Sequence, residues 1–128
     1  MPIRIHNTLS GRVETFQPIV PGKASIYSCG PTVNAEPTLG LLRRVAAADI
    51  LRRYLEYCGL EVKHVTNITD LDDNTIQESQ KQGVPLKELT DRYTEEFLWC
   101  VDQLGMKRAW KYPRASEHVD EMAAFTQR

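Results

Sequence analysis

The sequence predicts an α/β fold built on a small parallel sheet with flanking helices. Three observations carry this. A short apolar strand at Ala24–Cys29 and another at Glu61–Asn67 bracket about 18 residues of helical pattern, the order of a βαβ unit. Gly30-Pro31 ends the first strand, and Gly59 stands where a helix C-terminal cap belongs. Helical periodicity then dominates the rest of the chain. The length of 128 residues holds one domain of ordinary soluble composition, with 41% hydrophobic and 26% charged residues.

Along the chain, residues 3–7 and 12–17 alternate weakly around Ser10-Gly11 and read as a hairpin or N-terminal arm, 1–22 in all. The βαβ unit occupies 23–70. Its helix, Thr38 to Tyr57, is apolar on most sides, which predicts packing on more than one face. Residues 71–128 read as helices. One runs from Asp70 to Gln82, with acids in its first turn and Gly83 at its end. Pro85 opens the next at an N1-like position. There Leu86, Leu89, Tyr93, Phe97, Cys100, Val101 and Leu104 form one stripe. Ser116 is expected to cap a last helix carrying Val119, Met122 and Ala123.

The net charge is −1, which excludes a protein that holds nucleic acid by bulk charge. Residues 1–63 carry eight basic and five acidic groups and residues 64–128 eight and twelve, a small asymmetry that reads as solvated surface. Arg43, Arg44, Arg52 and Arg53 are the one local basic cluster, and they do not share a helix face, which favours a structural role. No run approaches 18 apolar residues and no targeting segment is visible, so a cytoplasmic protein without a membrane span is expected. Three cysteines without paired spacing fit free thiols in a reducing compartment. Cys58 and Cys100 lie on apolar helical positions and read as core thiols, whereas Cys29 ends a strand. Asp70, Asp72 and Asp73 do not make a calcium loop, because Thr75 and Lys81 occupy the positions that need Gly and Glu.

Ligands of an open α/β sheet bind at the carboxyl ends of its strands. Two such ends are present, Cys29-Gly30-Pro31-Thr32 and Thr66-Asn67-Ile68-Thr69-Asp70, both rich in small polar groups. Spacing alone leaves open whether they form a site or two ordinary turns.

Tyr27-Ser28-Cys29-Gly30-Pro31-Thr32-Val33 resembles the first catalytic strand of the cysteinyl-tRNA synthetase family. Asn7-Thr8-Leu9, Phe16-x-Pro18 and Arg52-Arg53-Tyr54-Leu55-x-x-x-Gly59 frame it as in that family. Asn67-Ile68-Thr69-Asp70-Leu71-Asp72-Asp73 is similar to the family's second strand end, and Pro113-Arg114-Ala115-Ser116-Glu117-His118 to a later helix start. The resemblance implies a partial Rossmann-like, class I synthetase-type sheet covering the first part of the catalytic domain. It implies the family's use of ATP and zinc, with Cys29 as a zinc-ligating thiolate. It also implies that Cys29, Gly30 and Thr69 line the cysteine pocket, and that Gly30, Thr38 and Gly40 lie at the nucleotide.

The family signature His-(Ile/Leu)-Gly-(His/Asn) is degenerate here, as Thr38-Leu39-Gly40-Leu41, and the lysine expected after the Asp-Asp pair is Asn74. The family's other zinc ligands, second Rossmann half, KMSKS-type loop and anticodon-binding region lie beyond the matched stretch, so Cys29 alone does not complete a zinc site. No catalytic residue or cofactor is therefore assigned to this chain. The expectation is a degenerate half-domain that does not charge tRNA by itself. It would serve as a binding or structural module in a homo- or hetero-oligomer, with a partner covering the exposed sheet edge, and tRNA is not expected to bind it alone. The alternatives are the N-terminal fragment or split half of a cysteine–tRNA ligase, adenylating cysteine with ATP, and a nucleotide- or cysteine-binding relative.

Overall fold

A computed structural model describes residues 2–127. The N-terminal arm is an antiparallel hairpin, β1 (Arg4–Asn7) and β2 (Arg12–Thr15), paired from Arg4↔Thr15 to Asn7↔Arg12. Gly11 closes its turn at φ 68°, a conformation glycine adopts without steric cost.

The centre is the βαβ unit. β3 (Lys23–Ser28) pairs in parallel with β4 (Glu61–Thr66), in register from Lys23↔Glu61 to Ser28↔Thr66. α1 (Leu39–Tyr57) crosses between them. The Thr38 hydroxyl caps α1 by accepting the Leu41 N–H at 3.3 Å. Gly59, at φ 87°, turns the chain out of the helix.

α2 (Asp73–Gln82) starts three residues later than its acids suggest. Asp72 is the cap: its carboxylate accepts the Thr75 N–H while the Thr75 hydroxyl accepts the Asp72 N–H, a reciprocal capping box. Asp70 is left at the end of the sheet. α3 (Leu86–Gln103) follows with Pro85 at the N-cap, one position before the expected N1. Its predicted stripe buries Leu89, Phe97 and Val101, while Leu104 lies past the helix end and is exposed.

The core joins Val33 and Ile68, just beyond the two strand ends, to Phe97 and Val101 of α3. Leu41 and Val45 of α1, Tyr93, Met106 and Tyr112 pack against it. Tyr112 meets Phe97 edge-to-face, centroids 6.3 Å apart. The core therefore sits under the carboxyl ends of β3 and β4 and holds them in place.

Four features correct the sequence reading. First, residues 110–114 are not helical but run beside β4 as a rudimentary third parallel strand. The Trp110 N–H donates to the His64 carbonyl at 2.7 Å, and the Thr66, Ile68 and Ala115 amides continue the ladder. This covers the outer edge of β4, so β3 carries the open edge, with β4 its one strand partner among the described residues. Second, Ser116 does not cap the last helix. It lies in a 3₁₀ turn (Ala115–His118), and α4 (Val119–Thr126) starts after His118 without a side-chain cap. Ser116 is instead recruited by Asp70. Third, Cys58 is exposed at the C-cap of α1 rather than in the core, while Cys100 is half-buried. Fourth, α1 is packed on one side only: Leu39, Ile50 and Tyr57 are 86%, 67% and 88% exposed.

Candidate functional site at the strand ends

The two strand ends expected to carry chemistry lie side by side and are locked together. The Asn67 side chain is the bolt. Its Oδ1 accepts the Gly30 N–H at 2.9 Å and the Tyr27 hydroxyl at 3.2 Å, and its Nδ2 donates to the Thr69 hydroxyl at 3.0 Å. The backbone closes the loop above: the Thr69 N–H donates to the Pro31 carbonyl at 2.9 Å, and the Val33 N–H to the Thr69 carbonyl at 3.1 Å. Arg44 reaches from α1 to the Gly30 carbonyl at 3.0 Å.

Gly30 has a structural reason of its own. A Cβ there would overlap the Asn67 carbonyl oxygen, which is backbone and cannot swing aside. Gly40 is different. A Cβ there would meet only the Thr38 hydroxyl at 3.8 Å, so the first turn of α1 faces open space.

Below the strand ends lies a buried polar cluster. His64 is 3% exposed, and its Nε2 lies 2.8 Å from the Ser28 hydroxyl and 3.1 Å from the Thr66 hydroxyl, which are 2.8 Å from each other. Its Nδ1 is buried without a partner. Burial holds the His64 imidazole below its usual pKa, and the Arg52 guanidinium adds to the effect.

Beside Thr69, the buried Asp70 carboxylate accepts the Ser116 N–H at 2.9 Å and the Ser116 hydroxyl at 2.6 Å. Arg114 lies 3.7 Å from Asp70 and 2.6 Å from Asp91. This cluster ties the end of β4 to the third strand and to α3. Lys87 raises the positive charge around Asp91, and its hydrogen bond holds that carboxyl below the usual range.

Of the residues singled out from the sequence, Cys29, Gly30 and Thr69 fall together at this edge. Cys29 is exposed, with its thiol 3.7 Å from the Gly30 carbonyl. Thr38, Leu39 and Gly40 form the adjacent mouth of α1, all exposed. Leu41 departs from them, because its side chain packs against the core. Asn67, His64 and Ser116 were not singled out as site residues. Asn67 stands in the quoted motif and was legible there; the partners of the other two lie 36 to 46 residues away.

The described residues do not by themselves complete a zinc site. Cys29 offers one thiolate, and no group of three or more His, Cys, Asp or Glu able to hold a metal ion occurs among the described residues. Three arginines of the basic cluster have structural partners: Arg44 at Gly30, Arg52 at the Arg108 carbonyl and Arg53 at the Gly105 carbonyl.

Comparison with known proteins bears directly on this edge. The family described as tRNA synthetases class I (C) catalytic domain matches residues 15–128. The chain belongs to this family. It is similar to cysteine–tRNA ligases from Methanosarcina mazei, at 47% identity over 98% of the chain, and from Methanosarcina acetivorans, at 48% over 94%. The cysteine–tRNA ligase of Lactococcus lactis subsp. cremoris is 42% identical over 98%. The chain spans only 25–28% of these relatives' length. Its parallel β3–β4 pair with α1 crossing between is the α/β, partial Rossmann-like arrangement of a class I synthetase. No described helix is long and apolar enough to cross a membrane.

Proposed function

We propose that this chain forms the amino-acid wall of a cysteine–tRNA ligase catalytic site and works when joined to the remainder of such a domain. The observation that carries the reading is the interlocked pair of strand ends, presenting the exposed Cys29 thiol beside Gly30 and Thr69. A wall held by this many bonds pays little ordering entropy when it meets a small amino acid. The first turn of α1 has open space at Gly40, and its backbone N–H groups other than that of Leu41, which Thr38 caps, would suit a phosphate of ATP. In this reading Thr38 is committed partly to capping α1, and Leu41 supplies no donor. The chain would therefore stabilise charge developing on phosphate less well than a histidine-bearing signature, by about 10²–10³ in rate per lost donor.

The test is cysteine-dependent pyrophosphate–ATP exchange. The chain is assayed alone and after mixing with the separately produced remainder of the Methanosarcina mazei relative. Exchange is expected only in the mixture, and Thr38→His is expected to raise it. If the mixture stays inert in both forms, the reading fails.

A second reading, a binding or structural module without catalysis, is favoured by one observation. The last signature position, Leu41, is used for core packing rather than for a ligand. Binding of cysteine or ATP by a mixture that shows no exchange would support it.

A further inference from the structure

The polar cluster beneath the strand ends serves no role in the reading above, yet it occupies a particular place. Ser28 and Thr66 are the last paired residues of β3 and β4. Immediately after them come Cys29-Gly30 and Asn67, the residues that form the candidate wall. His64, two residues before Thr66 on β4, puts Nε2 within hydrogen-bonding distance of both hydroxyls and so closes a three-membered ring across the two strands.

From this geometry we propose that His64 is a positioning residue whose neutral ring holds the two strand ends at their working separation, so that protonation loosens the wall. The proposal deepens the ligase reading, and its activity arm rests on that reading while its structural arm does not.

The chemistry follows from the hydrogen inventory. A neutral imidazole carries one N–H. If Nε2 holds it, Nε2 donates to one hydroxyl and Nδ1 is bare; a second proton must then sit on Nδ1, which faces no acceptor. If Nδ1 holds it, Nε2 accepts from a hydroxyl; a second proton there reverses that bond and forces both hydroxyls to turn. Either route leaves a buried cation with an unsatisfied N–H, a costly combination.

The surrounding charges do not relieve it. From α1 the ring faces Asp49 and Arg52; Asp49 favours the cation, Arg52 opposes it, and burial dominates both. Asp49 is already engaged by Arg53 at 2.8 Å and by the Lys107 N–H at 3.1 Å, and Arg52 by Glu56 at 2.9 Å. On β3 the ring's hydrogen-bond partner is Ser28, and the third strand meets His64 at its backbone carbonyl, through the Trp110 amide. Below the ordinary histidine pKa it becomes easier for the ring to leave the cluster, which leaves Ser28 and Thr66 joined only by their own 2.8 Å contact and the strand pairing.

The structural arm measures amide hydrogen exchange by NMR on the chain itself, corrected for intrinsic rates. Protection of the Gly30 and Thr69 amides is expected to fall roughly tenfold or more between about pH 7.5 and about pH 5, and at both pH values to stay below that of the α3 amides. His64→Gln keeps an amide that can bond both hydroxyls but does not titrate, and should remove the pH dependence. The proposal is overturned by flat protection in the native chain. It is also overturned if the Gly30 and Thr69 amides are as strongly protected as those of α3 at both pH values, which would mean that only global unfolding exposes them, or by an unchanged pH profile in His64→Gln. In the activity arm, the mixture with the remainder of the ligase relative should lose cysteine kcat/KM on acidification more steeply in native than in His64→Gln. If the exchange profile behaves as expected but no activity appears in any mixture, the ligase reading fails and the positioning role stands.

Discussion

At the carboxyl ends of β3 and β4 the polar groups interlock; on the outer face of α1 and along α4, apolar side chains stand in the open. The first region places Asn67, Thr69, Asp70, Ser116 and Arg44 in bonds that cross between elements. The second leaves Ile50, Tyr57, Met122 and Phe125 uncovered. The difference locates where this sequence has fixed its geometry internally and where it has not. Geometric precision resides in the first region, because rearranging it means breaking several bonds at once. The second contributes little to the fold of this chain.

Substitutions should divide along the same line. The largest effect is expected from Gly30→Ala, where the new methyl collides with the Asn67 carbonyl; about 4 kcal/mol or more should be lost in urea denaturation. Gly40→Ala is its counterpart. It enters open space near the start of α1 and should be neutral or stabilising by up to about 1 kcal/mol. If the two alanines cost the same, the contrast between the regions collapses.

Phe97→Ala, in the core beneath the strand ends, should cost about 3–5 kcal/mol, whereas Phe125→Ala on α4 should stay within about 0.5 kcal/mol. Asp70→Ala should cost about 2–3 kcal/mol. It strands the Ser116 amide and hydroxyl and leaves Arg114 with Asp91 alone. A circular-dichroism melt of each variant checks these values.

A smaller effect is expected from pH. His64 has a lower pKa folded than unfolded, so below about pH 6.5 the unfolded chain binds the extra proton more readily. Stability contributed by the neutral ring is present above that pH and falls as pH drops through it. His64→Gln should flatten this slope in denaturation curves. At the bottom of the scale, Lys87→Ala removes an exposed pair with Asp91 and should change stability by less than about 0.5 kcal/mol.

How much of this was legible in the sequence depended on how far apart the partners lie. The βαβ order and the stripe of α3 followed from apolar periodicity, and Gly59 and Gly83 marked helix ends correctly, because those signals are local. The third strand was missed. Residues 107–115, Lys-Arg-Ala-Trp-Lys-Tyr-Pro-Arg-Ala, carry no run of β-branched residues, and their strand character comes from amides and carbonyls of β4 far away in the chain. Ser116 looked like a helix cap for the same reason. Its position before a helical pattern is a local cue, and Asp70, 46 residues earlier, outcompetes that role. Cys29, Gly30 and Thr69 were singled out through the motif resemblance; Asn67 stands in the same motif, but its bonds to their loops show only in three dimensions.

These strand ends are proposed as the amino-acid wall of a ligase site. Pyrophosphate exchange in the mixture with the remainder of the Methanosarcina mazei relative tests this proposal most directly when native chain is compared with Cys29→Ser. Cysteine-dependent exchange is expected with the native chain, and a loss of roughly 10²-fold or more with Cys29→Ser, as for removal of a key site contact. Equal exchange from both chains would contradict it.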